Sequence, residues 1–162
     1  MVTGRALFLL FFSHIERQLQ KHSNPLRMTR KRVALIAHDH KKDDMVRWAQ
    51  DNKEKLATCE LYGTSTTGTL VEKALDLPVI KLKSGPFGGD QQIGALIAEG
   101  KIDILIFFWD PLHPLPHDQD IKALLRVAVL WNIPLACNRS TADFIFTSSF
   151  FAAKYERELP EG

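Results

Sequence analysis

The chain of 162 residues is 45% hydrophobic and carries 21 basic against 19 acidic side chains, a net charge of +2. That is the length of one domain, with enough apolar chain for a proper core, and a charge balance that gives no reason to expect a nucleic acid or an acidic membrane as partner. Cys59 and Cys137 each lie in an apolar stretch that reads as a strand; without a framework of spaced pairs they indicate a reducing cytoplasm, and the absence of CxxC and HExxH leaves zinc little support.

Residues 1–27 differ in character from the rest. Ala6 to Phe12 is an unbroken apolar run behind the single charge of Arg5. It is at the short limit for a signal peptide, lacks a small-residue cleavage site, and is far below the ~20 residues of a membrane span. The polar stretch Arg17 to Asn24 follows, then Met28-Thr-Arg-Lys-Arg32. Residues 1–27 are expected to be an extension outside the fold, with Met28 as the true start. Residues 28–162 then form the working domain, and the basic run Arg27 to Arg32 is a solvated lead-in.

From Arg32 onward strand and helix alternate. Val33 to Ala37 is a short continuous apolar run, as for a strand buried on both faces. Lys42 to Leu56 is helical, with Met45, Trp48, Ala49 and Leu56 along one side. Thr58 to Tyr62 reads as a strand, Thr66 to Leu75 as a helix, and Pro78 to Leu82 as a third strand. A helix from about Asp90 to Glu99 ends at Gly100, a good C-terminal cap. Ile102 to Phe108 is the strongest strand pattern. A proline-rich loop, Trp109 to Asp120, precedes an amphipathic helix marked by Ile121, Leu124, Leu125, Ala128 and Val129. Ile133 to Cys137 is a fifth strand, and Ser140 to Phe150 is helical. The expected fold is α/β: a single doubly wound domain, its five-stranded parallel sheet covered by helices on both faces.

In such folds ligands bind beyond the carboxyl ends of the strands, where the strand order switches. Every polar cluster of this chain follows a strand: His38-Asp39-His40, Gly63 to Gly68, Ser84-Gly85 running on to Asp90, and Asp110 to Asp120. Asp90 follows two glycines at a helix start. Alone it reads best as an N-cap; with the companion loops it reads as part of one site. Gly63-Thr64-Ser65-Thr66-Thr67-Gly68 leads into a helix whose free N–H groups favour an anion, although serine and threonine are also common turn and capping residues. With Ser84-Gly85 and Lys42 the pattern favours a phosphate monoester. Neither GxGxxG after a strand nor GxxxxGK[ST] occurs, so a nucleotide is the weaker reading. His117 is either an exposed loop histidine or, with Asp90, half of an acid–base pair in which a carboxylate removes a proton from carbon and an imidazole polarises a carbonyl. His38-Asp39-His40 could be a second such pair or metal ligands, but three adjacent residues cannot all point inward without a special turn.

The segments Ala37-His-Asp-His40, Gly63-Thr-Ser-Thr-Thr-Gly68, Ser84-Gly-Pro-Phe-Gly-Gly-Asp-Gln-Gln92, Phe107-Phe-Trp-Asp-Pro111 and Pro116-His-Asp-Gln-Asp120 strongly resemble methylglyoxal synthase, and Thr141-Ala-Asp-Phe144 fits the same family. The resemblance covers about residues 32–150. It implies a cytoplasmic homohexameric lyase of a glycolytic bypass. Such an enzyme converts dihydroxyacetone phosphate to methylglyoxal and orthophosphate, is inhibited by orthophosphate, and uses no metal or organic cofactor. By the same resemblance Asp90 matches the catalytic base and His117 the histidine that polarises the carbonyl. Lys42, Thr64, Thr66, Thr67, Ser84 and Gly85 match the phosphate site, which Ser65 adjoins. His38 is placed among the substrate-binding residues, and Asp39, Asp110 and Asp120 among the supporting polar ones. The family does not usually carry a segment like 1–27, and its members often continue beyond the position of Tyr155. The same fold also serves as a regulatory ligand-binding module, which needs the anion loop but not the base. Asp90, His117 and Asp120 favour the enzyme over that module, and over a phosphosugar-binding protein without turnover.

Overall fold

The structure, a computed structural model, describes residues 30–113, 118–153 and 155–160. The expected extension 1–27 and His117 lie outside the described residues. Five parallel strands stand in the order β3-β2-β1-β4-β5: β1 (Arg32–Ala37), β2 (Glu60–Thr64), β3 (Val79–Leu82), β4 (Ile104–Phe108) and β5 (Leu135–Ala136). β1 is central, paired with β2 from Arg32↔Glu60 to Leu35↔Gly63 and with β4 from Val33↔Ile104 to Ala37↔Phe108.

The continuous apolar runs of β1 and β4 are explained by two cores. Along β1, Val33, Leu35 and Ala37 enter one core; Ala34 and Ile36 enter the other. The first lies under α1 (Lys42–Asp51), the short α2 (Lys53–Leu56), α3 (Ser65–Leu75) and α6 (Arg139–Thr147), through residues such as Met45, Leu56, Val71 and Phe146. The second lies under α4 (Gly89–Ala98) and α5 (Asp118–Leu130), through Ile93, Ile97, Ile121 and Leu124. Trp48 anchors the first core. Its ring stands edge-on to Phe146 at 4.8 Å and its Nε1–H donates to Asp143 at 2.9 Å, so the buried indole keeps a polar partner.

Several boundaries differ from those expected. The helix from Lys42 breaks at Asn52 into α1 and α2. The helix expected over 140–150 is also two pieces, since Ser148 leaves the helical region and caps α7 (Ser149–Ala152) by accepting from the Phe150 N–H. β2 runs two residues further than the apolar pattern, to Thr64, and β5 is only two residues long. Cys59 therefore precedes β2 and Cys137 follows β5; both thiols are free, and burial pushes each up. Gly100 closes α4 as expected: at φ 66° it lets the Lys101 N–H reach the Leu96 carbonyl at 2.7 Å.

At the amino edge of the sheet, Arg32 and Asp103 fasten β1 to the approach to β4. One Asp103 oxygen accepts from the Arg32 backbone N–H at 2.8 Å and from Nε at 2.9 Å, and the other accepts from Nη2 at 2.8 Å. Burial pushes the Asp103 carboxyl up, but the hydrogen bonds and charge of Arg32 outweigh it and hold the group below the usual range. A carboxylate with a depressed pKa stabilises the fold above its unfolded value of ~3.9, and that contribution is lost as pH falls through the folded value. Asp103→Asn should therefore cost about 1–3 kcal/mol in urea unfolding at neutral pH, a deficit that narrows below about pH 4. An unchanged deficit at low pH would show that the carboxylate charge contributes nothing there.

Candidate active site

Three consecutive strands end in the same way. His38 after β1, Thr64 at the end of β2 and Ser84 after β3 have φ/ψ of −63°/160°, −64°/150° and −67°/157°, and each starts a helical turn without lending its side chain as a cap. The Thr64 and Ser84 hydroxyls, which ordinarily satisfy the first helical N–H groups, leave that task undone. Three helical turns therefore start on one edge of the sheet, and the one at Thr64 opens the eleven-residue α3, whose dipole favours an anion.

Close backbone approach makes this arrangement possible. A Cβ on Gly63 would sit 2.9 Å from the Gly68 Cα, so the first turn of α3 lies against the end of β2. A Cβ on Gly89 would come within 2.0 Å of the Lys83 carbonyl oxygen, so the start of α4 presses on the chain leaving β3. Gly88, at φ 93°, is the N-cap of α4, and Asp90 is the second residue inside the helix. Of the two readings of Asp90, the N-cap is the one that does not hold: the cap is Gly88, whose positive φ favours glycine. The Asp90 carboxylate is instead carried over the cleft, only 4% exposed, in the helix turn whose dipole favours its charge.

A cleft of about 270 Å³ occupies this edge. Of the expected residues, His38, Asp39, Lys42, Thr64, Thr66, Thr67, Ser84, Gly85, Asp90 and Asp110 line it. Ser65 is exposed and Asp120 lies on the first turn of α5; neither is part of the lining. Thr67 is buried, and its hydroxyl donates to the Ala37 carbonyl at 3.4 Å, which ties α3 to β1. His113, Phe107 and Pro86 line the cleft without having been singled out for it, and His40, weighed above only with His38 and Asp39 as an acid–base or metal set, lines it too. The alternation of β4 could have revealed Phe107, and His113, three residues past Asp110, had only its place in the loop after β4 to recommend it.

Lys42 stands at the first position of α1, where the helix dipole disfavours a cation by ~0.3–1 kcal/mol. Asp39 offsets this through an ion pair, which holds the Asp39 carboxyl below the usual range. Lys42 is the better buried partner, at 19% exposure against 85% for Asp39, so its ammonium is held at the cleft and Asp39 faces water. Asp110 is pinned from two sides: the Leu112 N–H donates to one oxygen at 3.1 Å, and His40 Nδ1 lies 3.1 Å from the other. The Leu112 N–H and then His40 hold this carboxyl below its ordinary value. Among the described residues no group of three or more ligating side chains could hold a metal ion.

A parallel α/β domain with a polar cleft at the strand-order switch matches the family model described as MGS-like domain over residues 44–137. The methylglyoxal synthase of Pseudoalteromonas atlantica is 60% identical over 132 residues, covering 81% of this chain and 98% of that protein. That of Hahella chejuensis is 60% identical over 129 residues, 80% of this chain and 82% of the relative. A crystal structure of methylglyoxal synthase from Elizabethkingia anophelis superimposes with a TM-score of 0.77 at 53% identity, covering 82% of this chain and 87% of the other. The chain belongs to the methylglyoxal synthase family.

The glycine contacts order two substitutions against simple expectation. Gly88→Ala meets only positive φ and should cost about 1–2 kcal/mol. Gly89→Ala drives a methyl into a backbone carbonyl and should cost about 3 kcal/mol or more. Denaturant melts of the two variants check this; equal costs would contradict the close approach.

Proposed function

We propose that the chain is a lyase converting dihydroxyacetone phosphate to methylglyoxal and orthophosphate through an enediol(ate). The observation that carries this reading is a buried carboxylate, Asp90, on the same cleft wall as an anion-receiving set of donors. Asp90 removes a proton from the hydroxymethyl carbon. His117, assigned by the family resemblance, polarises the carbonyl, and neighbouring donors stabilise the enediolate oxygen. Triosephosphate isomerase passes through the same intermediate but keeps its phosphate. Here the phosphate must leave, which requires the C–O(P) bond to stand out of the enediolate plane so that it overlaps the π system. Thr64, Thr66, Thr67, Ser84, the Gly85 backbone and Lys42 fix that angle and stabilise the departing dianion. Ser65 contributes through the helix start, His38 binds substrate, and Asp39, Asp110 and Asp120 support the polar network. The enol released becomes methylglyoxal without further help, and no metal or organic cofactor is needed.

We also propose that the enzyme is cytoplasmic, assembles as a homohexamer and is inhibited by orthophosphate competing for the donor set. Its place as a glycolytic bypass follows from the substrate. Residues 28–162 are the proposed working domain, with 1–27 outside it. Support for that division comes from the relative matched over 98% of its own length by 81% of this chain.

Incubation with dihydroxyacetone phosphate, following methylglyoxal and phosphate release, tests the activity. Asp90→Asn should abolish turnover while leaving orthophosphate binding largely intact, because the amide keeps the shape but accepts no proton from carbon; near-normal turnover would remove Asp90 from the role of base. Lys42→Ala and Thr66→Ala should each weaken substrate and orthophosphate together, by about tenfold for the charged contact. A loss confined to substrate would place the phosphate elsewhere. A chain beginning at Met28 should turn over at least as well as the full chain and be more soluble. If only the full chain is active, the division is wrong.

A further inference from the structure

His38 is held at two points across the switch between β1 and β4. Its backbone N–H donates to the Phe108 carbonyl at 3.1 Å, and its ring Nδ1 receives the Asp110 backbone N–H at 3.2 Å. Phe107 meets the ring edge-on at 5.1 Å and 71°, which fixes its plane. A backbone N–H can only donate, so this contact exists only for a ring whose Nδ1 carries no proton. A neutral imidazole with a bare Nδ1 carries its proton on Nε2. Asp110 can serve in this way because its own loop is fixed, one carboxylate oxygen accepting from Leu112 and the other lying against His40, whose ring is in turn covered by His113 at 4.8 Å.

We propose that Asp110, held by His40, is a positioning residue that locks His38 as the neutral Nε2–H tautomer, making His38 a hydrogen-bond donor to a substrate oxygen and not a base. This rests on the lyase reading given above and divides its chemistry. Proton abstraction is left to Asp90, while His38 moves no proton and only lends one to a bond. Asp110 and His40 act through His38, with no contact to substrate required.

The test is nitrogen-15 spectroscopy of histidine-labelled, full-length free protein at neutral pH, with His38 assigned by loss of its signals in His38→Gln, alongside steady-state kinetics. The unaltered chain should show His38 with an unprotonated Nδ1 and a protonated Nε2. Asp110→Ala should bring the two tautomers into exchange and lower kcat about tenfold, the worth of one hydrogen bond in the transition state, with a smaller change in KM. Asp110→Asn keeps an acceptor for Leu112 and should recover part of both readouts; His40→Phe should fall between these variants. A proton on Nδ1 of His38 in the unaltered chain would overturn the proposal, as would a full loss of kcat in Asp110→Ala or His40→Phe with the tautomer unmoved. If the unaltered chain releases no methylglyoxal, the lyase reading fails and the donor role with it, whereas the spectrum still decides the tautomer on its own.

Discussion

The distance of closest approach between backbones governs this molecule. Helix α3 starts against the end of β2 only because Gly63 and Gly68 put no side chain between them, and α4 starts against the chain leaving β3 only because Gly89 has none. Were α3 to begin an ångström or two further out, its free N–H groups would stand away from the cleft, and were α4 to do so, Asp90 would leave the lining. Dipoles fall off within a turn, so this proximity is what turns ordinary helix starts into an anion-receiving edge. Lys42 adds the one charge that the dipoles do not supply, kept in place by a carboxylate on the solvent side.

The two edges of the sheet are built on different principles. At the amino edge, Arg32 and Asp103 pair through three hydrogen bonds. At the carboxyl edge the helical turns go without the usual caps, since Thr64 and Ser84 lend them no side chain, and the Asp90 carboxylate lines the cleft. Stability is drawn from the first edge and from the two cores, which leaves the second free to hold groups in arrangements that a purely structural edge would relax.

Much of this was legible in the chain itself. The alternation of apolar runs with 3.6-periodic segments gave five strands and the helices between them, because buried parallel strands must be apolar on both faces. The polar clusters after β1 to β4 supply many of the residues that line the cleft. What escaped was local. The cap of α4 was not legible, because an acidic residue before an apolar run usually fills that place; the positive φ of Gly88 puts the cap two residues before Asp90. Ser65 and Asp120 fell outside the lining because a run of hydroxyls or acids along a helix start spreads around the axis, and only part of it faces inward. His40 and His113 were invisible as a pair because the contact joins a loop after β1 to a loop after β4, seventy-odd positions apart in sequence.

The threefold repetition of one turn at His38, Thr64 and Ser84 bears on the shape of what the cleft can receive. Donors that come from three separate strand ends approach a bound group from three directions, not from one plane. For the proposed phosphate this is selection by geometry: a tetrahedral oxyanion offers an oxygen to each approach, whereas a flat carboxylate or nitrate, with fewer or coplanar oxygens, leaves one strand end unanswered. The leaving group would then be distinguished from the many carboxylates around it by its third dimension, a form of discrimination that costs the protein no additional charge.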